Sequence, residues 1–230
     1  MTELSGETRG WRGKLGRSVA WLIGTTLLIL LLMALQPLFA IPFVFLFLWL
    51  AREKVAAIGL VRAPGLFAVL LAGFGFALAM QIVNRLALIP LLAVFLPDQG
   101  ASAADIGLVP GAWDVWALFV VIAIFSAGFG EELSARGYAL TMVTRLLGDG
   151  RGARWIAMSV VAVIFGLGHF YQGALGTAHA IWMGFALGTL YLLSRSLWTA
   201  IVGHALYNIF TATLIVSGAM AALERSLGWI

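Results

Sequence analysis

The chain has 230 residues, of which 62% are hydrophobic and 10% charged, with a formal net charge of +4 and no cysteine. Soluble domains carry about 25% charged residues, so a water-facing surface around so apolar a chain is excluded, as are disulfides and thiolate metal sites. The basic residues sit in short connections between apolar runs, which points to orientation in a membrane and not to nucleic acid.

Arg9, Arg12, Lys14 and Arg17 precede an apolar run that opens at Ser18. That order resembles a signal peptide, but the run continues almost unbroken to Leu50 without a persuasive small-residue cleavage site, and it reads as a retained anchor. Residues 18–50 exceed the roughly 20 residues of one ordinary span. Because Pro37 and Pro42 interrupt them, two helices over 18–35 and 38–51 are expected, joined by a tight turn at Gln36-Pro37, the second helix short or partly re-entrant. A third span covers 66–89, followed by an apolar tail ending at Leu96-Pro97, and a polar loop over 98–112 carries Asp98 and Asp105. Further spans are expected over 113–130, 155–171, 178–193 and 197–217. The segment 131–147 has a helical pattern polar enough to lie partly in a cavity or at the interface, and Gly148-Asp149-Gly150 reads as a turn.

Charge placement tests this order, since Lys and Arg concentrate in cytoplasmic connections. With the N-terminus inside, seven crossings put 1–17, 52–65, 131–154 and 194–196 inside, and these hold most of the basic residues, from Arg52, Lys54 and Arg62 to Arg136, Arg145, Arg151, Arg154 and Arg195. Asp98, Asp105 and Asp114 fall outside. One span over 18–50 would invert everything downstream. The expected fold is all-α, a polytopic transmembrane helical bundle of about seven to eight spans, an eighth helix fitting at 86–97 or 219–230. A basic cytoplasmic tail (1–17) precedes one integral membrane domain (18–230). Most tryptophans fall near span ends, as interface anchors do.

A charge at the bilayer centre costs about 2.5–3.5 kcal/mol on insertion scales, so polar residues within the later spans carry the information. They form three groups: Gly130-Glu131-Glu132-Leu133-Ser134-Ala135-Arg136-Gly137, Phe165-Gly166-Leu167-Gly168-His169, and His204-Ala205-Leu206-Tyr207-Asn208. Glu132 and Arg136 share a helix face, with the acid N-terminal to the base, the better orientation for such a pair. Glu131 lies about 100° around the helix with Ala135 at its matching position, so it lacks a cation of its own and suits a general base. A charge cluster at a helix end near the cytoplasmic interface would explain these residues as well. His204 and Asn208 project from one side of the last span and can present two polar groups to one point, as metal ligands or as donors to an oxyanion. Interhelical hydrogen bonding is the plainer explanation for either histidine taken alone. His179 sits in an uncharged connection near the outer interface and reads as a bystander. Asn84 and Arg85, at the end of the third span, read as structural.

Glu131-Glu132…Arg136, Phe165…His169 and His204…Asn208, in this order on successive helices, resemble the motifs of the CPBP intramembrane proteases, the Abi or CAAX-protease-and-bacteriocin-processing family. Gly137 and Ser196-Leu197-Trp198 also look like that family, and the resemblance spans roughly Trp113 to Phe210, a core of about 113–217 once the last span is completed. Ser134-Ala135 departs from the bulky apolar residues frequent before the arginine, which touches packing and leaves the motif positions intact. Similarity to the CAAX prenyl protease 2 branch implies that Glu131 activates a water with help from His169. It implies further that His204 and Asn208 stabilise the tetrahedral oxyanion, and that Glu132 and Arg136 support the site. The family is commonly described as metalloproteases, which would put Zn2+ on Glu131, His169 and His204. The chain has no His-Glu-x-x-His signature, and a glutamate-and-water mechanism is equally consistent.

The resemblance implies a membrane endopeptidase acting on membrane-associated, including prenylated CAAX-type, peptides, in contact with membrane lipid and without nucleic acid. The brevity of the chain and the lack of a targeting signal point to a prokaryotic plasma membrane, a setting that argues against prenylated substrates. A non-catalytic immunity or scaffold protein that keeps the family fold is the alternative. A transporter or proton relay is disfavoured because no repeated half appears.

Overall fold

The computed structural model describes residues 18–61, 65–96, 100–148 and 150–227. The expected basic tail 1–17, and the expectations that concern Arg62, Pro97, Asp98, Asp149 and Trp229, lie outside the described residues.

Among the described residues the structure is helical throughout, with eight principal helices. Helix α1 (Val19–Leu35) and α2 (Pro37–Leu50) form the expected hairpin. Gln36 between them is extended, at φ −164°, and Pro37 supplies the preset φ favoured at the first helical position. Helix α3 (Leu66–Phe95) takes in the third expected span and most of the apolar tail that follows it, where a further helix over 86–97 was the alternative. A π-helical turn over Asn84–Leu88 lies just before Pro90, whose ring crowds the preceding turn and lacks the N–H to close it.

Helix α4 (Trp113–Leu146) runs unbroken through the point at 130/131 where two segments were expected. The polarity of 131–136 suggested that break, but no proline or turn signal lies there, and paired charges need not leave the helix. What changes instead is its pitch, through two π-helical stretches, Ala123–Glu131 and Leu133–Ala139, a feature frequent at functional sites. Helix α5 (Arg151–Leu167), a short 3-10 turn at Phe170–Gln172, α6 (Gly173–Ser194), α7 (Leu197–Val216) and the short amphipathic α8 (Ala219–Ser226) complete the chain. Four of these segments (Leu66–Phe95, Trp113–Leu146, Phe170–Ser194 and Leu197–Val216) are long and apolar enough to cross a membrane, and Val19–Leu35 and Pro37–Leu50 are shorter apolar helices.

Small residues set the close helix approaches, as expected where lipid removes the hydrophobic drive between helices. A Cβ on Gly184 would lie 2.9 Å from Ala162 Cα, so α5 and α6 meet there nearly backbone to backbone. A Cβ on Gly73 would come 3.0 Å from the Gly203 backbone nitrogen, where α3 meets α7. The principal core packs Ile29, Val44, Ile58, Leu133, Tyr138 and Leu197 at 0–1% exposure. Large apolar side chains such as Leu31, Phe67, Phe74 and Phe95 stand exposed on the outside, where lipid would cover them.

Helix α4 runs antiparallel to α1, and three contacts fix its register. A Cβ on Gly130 would lie 3.0 Å from Pro37 at the hairpin turn, the Tyr138 hydroxyl donates to Thr25 Oγ1 at 2.7 Å, and Arg145 lies in electrostatic range of Glu53. Burial pushes the Glu53 carboxyl up, and Arg145 opposes that shift. The 51–61 connection and the start of α7 share that end, where the Trp198 indole donates to the Val61 carbonyl at 3.1 Å.

Candidate active site

The register places Glu131 beside the hairpin turn, roughly 20 Å along α4 from its basic end at the usual helical rise. The glutamates are thus in mid-helix.

Glu132 is fully buried and joins two elements through one oxygen. Its Oε1 accepts from Arg136 Nη1 at 2.9 Å, the expected pairing one turn along, and from His204 Nδ1 on α7 at 2.8 Å. Arg136, 1% exposed, spends its other nitrogen on the Gly184 carbonyl at 3.0 Å and sets its guanidinium carbon 4.6 Å from the Phe165 ring centroid. The close α5–α6 approach at Gly184 therefore also presents the carbonyl that holds Arg136. His204 was expected to share a purpose with Asn208 and to be free of the Glu132 pair. It is instead a third member of that pair, with its Nδ1 proton directed to Glu132 because a carboxylate oxygen can only accept. Asn208 follows one turn along α7, half-buried, and makes no side-chain hydrogen bond among the described residues.

Glu131 is placed differently. Together with His169 it lines a cavity of about 360 Å³, whose other walls come from Leu35 and Pro37 at the hairpin turn and from Phe165 and Tyr171. Glu131 Oε2 is enclosed and has no hydrogen-bond partner. The carboxylate lies in electrostatic range of His204, His169 and Arg136. His169 follows directly on α5, where its Nδ1 donates to the Phe165 carbonyl at 2.8 Å, leaving Nε2 as the acceptor of the neutral ring. Its ring packs against Phe165 and stacks on Tyr171, with centroids at 4.7 and 6.0 Å. Phe165 touches Arg136, His169 and His204 at once, and only its place in the Phe-x-x-x-His motif marked it in the sequence. Neither His204 nor Asn208 is among the cavity walls.

Among the described residues no group of three His, Asp or Glu side chains converges in a metal-ligating arrangement. Glu131 and His169 line the cavity, while His204 joins the Glu132 pair. Both histidines have Nδ1 engaged, which leaves each Nε2 as the nitrogen that could ligate a metal, and no step is assigned to one.

A second polar cluster lies between α3, α6 and α7. The Asn84 amide donates to Tyr207 Oη at 3.0 Å and lies 3.1 Å from His179 Nε2, while the Trp182 indole donates to Asn84 Oδ1 at 3.0 Å. Tyr207 Oη also lies 3.1 Å from His179 Nε2, and the Gln81 amide donates to the Tyr207 carbonyl and to Thr211 Oγ1. His179 is therefore no interface bystander. Helix α6 begins at Gly173, ahead of the expected 178, and carries this histidine into the packed bundle. Asn84 has the structural role expected of it.

Fold and cavity together define an integral membrane protein of several helices, with acid–base groups held inside the bundle. Residues 113–210 match the family model described as type II CAAX prenyl endopeptidase Rce1-like. That stretch, α4 through most of α7, is similar to the CAAX protease family whose three motifs it carries, and it contains every residue of the Glu132 pair together with Glu131 and His169 of the cavity. No curated protein and no solved structure matches the chain.

Proposed function

We propose that the protein is an intramembrane endopeptidase in which Glu131 activates the attacking water. The observation that carries this reading is the unpartnered Glu131 carboxylate lining a cavity beside His169. Glu131 Oε2 and His169 Nε2 are both acceptors, so a water between them donates both protons and turns a lone pair outward. Glu131 takes one proton as the water oxygen bonds to the scissile carbonyl carbon. Asn208 and His204 donate to the oxyanion, His204 from Nε2 in its doubly protonated form, since Nδ1 already serves Glu132. The proton held by Glu131 passes to the leaving amine as the C–N bond breaks, which releases a carboxylic acid and an amine and needs no metal. Glu132 and Arg136 fix the ring of His204 and do not touch the substrate. Apolar walls from Leu35, Pro37 and Phe165 suit a membrane-associated peptide, including a prenylated one.

The test is incubation of purified wild type and Glu131→Ala with a library of membrane-peptide substrates, with and without chelator. Products that need Glu131 and persist under chelation are expected. Absence of any Glu131-dependent product would sink the protease reading, and loss on chelation with recovery on added zinc would transfer the chemistry to a metal.

We also assign the end that gathers Arg52, Lys54, Arg145, Arg151, Arg154 and Arg195 to the cytoplasmic face of a prokaryotic plasma membrane, with the N-terminus on that side. A topology reporter fused in the 148–150 turn should read cytoplasmic, and an exterior signal there would reverse the orientation.

A further inference from the structure

Away from the Glu131 cavity, the last two turns of α3 and helix α8 enclose a second cavity of about 340 Å³. Its walls are apolar at Ile89, Ala93, Met220 and Leu223, with two exceptions of opposite charge, Arg85 and Glu224. Those two do not pair with each other: among the described residues no ion pair joins Arg85 to Glu224. Arg85 Nε is enclosed and makes no hydrogen bond. A guanidinium in a membrane helix with an unmade N–H bond is costly, and such residues normally find a partner. Arg85 lies in electrostatic range of His179 and Tyr207 in the neighbouring cluster but makes no hydrogen bond to it, and Gln81 Oε1, one turn earlier on α3, is likewise left without a partner. The space beside it is open to a ligand. On the same stretch of α3, Leu91, Val94 and Phe95 stand exposed, the last two by about three quarters, and offer an apolar track leading away from the cavity.

We propose that this cavity holds the headgroup of a phospholipid that carries a phosphate and a primary ammonium, of the phosphatidylethanolamine type. The phosphate accepts from Arg85, where two parallel N–H···O bonds are the favoured geometry. The ammonium donates to Glu224, and an acyl chain lies along Leu91, Val94 and Phe95. Separated, unpaired charges of opposite sign in one cavity complement a zwitterion. A purely anionic headgroup would leave Glu224 facing negative charge, and a quaternary ammonium has no N–H to give it. The site is independent of peptide cleavage, because no residue of the Glu131 cavity lines it.

Native mass spectrometry of the purified full chain, in micelles doped equally with phosphatidylethanolamine, phosphatidylcholine and phosphatidylglycerol, tests this. Wild type should retain phosphatidylethanolamine in preference to both others. Arg85→Gln should lower its retention by roughly tenfold, the equivalent of one charge-assisted hydrogen bond. Glu224→Gln, on the short outer helix α8, should keep lipid but lose the preference over phosphatidylglycerol, and it serves where Arg85→Gln fails to fold. Glu131→Ala should retain lipid as wild type does. Equal retention of the three lipids by wild type, or an unchanged preference in Glu224→Gln, would overturn the proposal.

Discussion

Glu131→Gln should lower the peptide-cleavage kcat by about 10²–10⁴-fold, the range supplied by a positioned general base, while leaving thermal unfolding where it is in wild type. The side chain keeps its shape and loses only the ability to take a proton. Nothing in the fold depends on its charge: Oε2 has no hydrogen-bond partner, and the ion pair of this region is made by Glu132. Turnover of a membrane peptide by protein in mild detergent, beside a melting curve of the same preparation, separates the two quantities. A variant that melts early but still cuts would mean that Glu131 is a structural residue.

The Glu132–Arg136 pair follows from helical spacing and forms as expected, even within a π-helical stretch. The hairpin at Gln36-Pro37 was legible because proline marks a helix start as plainly as it marks a break. What spacing could not supply was contact between helices far apart in the chain. His204 and Asn208 share a face of α7, so they looked like a pair, yet the partner of His204 is Glu132, 72 positions away. His179 looked idle because its sequence neighbours carry no charge, whereas Asn84 and Tyr207, which face it, come from α3 and α7. The helix boundary expected at 130/131 is absent for a related reason. Polarity at 131–136 suggested an exit from the membrane, but internal pairing of Glu132 with Arg136 and His204 lets the helix continue. Phe165, Leu35 and Pro37 show the same limit, being apolar residues whose place at the cavity is decided by packing alone.

The second large effect concerns stability and separates the two adjacent glutamates. Glu132→Ala should destabilise the bundle by about 3–5 kcal/mol, the usual cost of removing one partner from a buried ion pair. Arg136 would remain charged at 1% exposure with only the Gly184 carbonyl and the Phe165 ring to face, and His204 would lose the acceptor that orients its Nδ1. The double variant Glu132→Ala/Arg136→Met should unfold later than the single one, because the uncompensated charge goes with the arginine while its apolar volume is largely kept. Denaturant or thermal unfolding in mild detergent measures both. A double variant no more stable than Glu132→Ala would show that the loss comes from the cavity left at position 132 and not from a stranded charge. Activity then distinguishes packing from positioning. In the double variant the bundle is restored but His204 still lacks its acceptor, so cleavage should stay low in spite of the recovered fold. Cleavage that returns along with stability would instead mean that Glu132 serves the bundle alone and that the orientation of His204 is set by other contacts, such as the edge-on Phe165 ring 6.3 Å away.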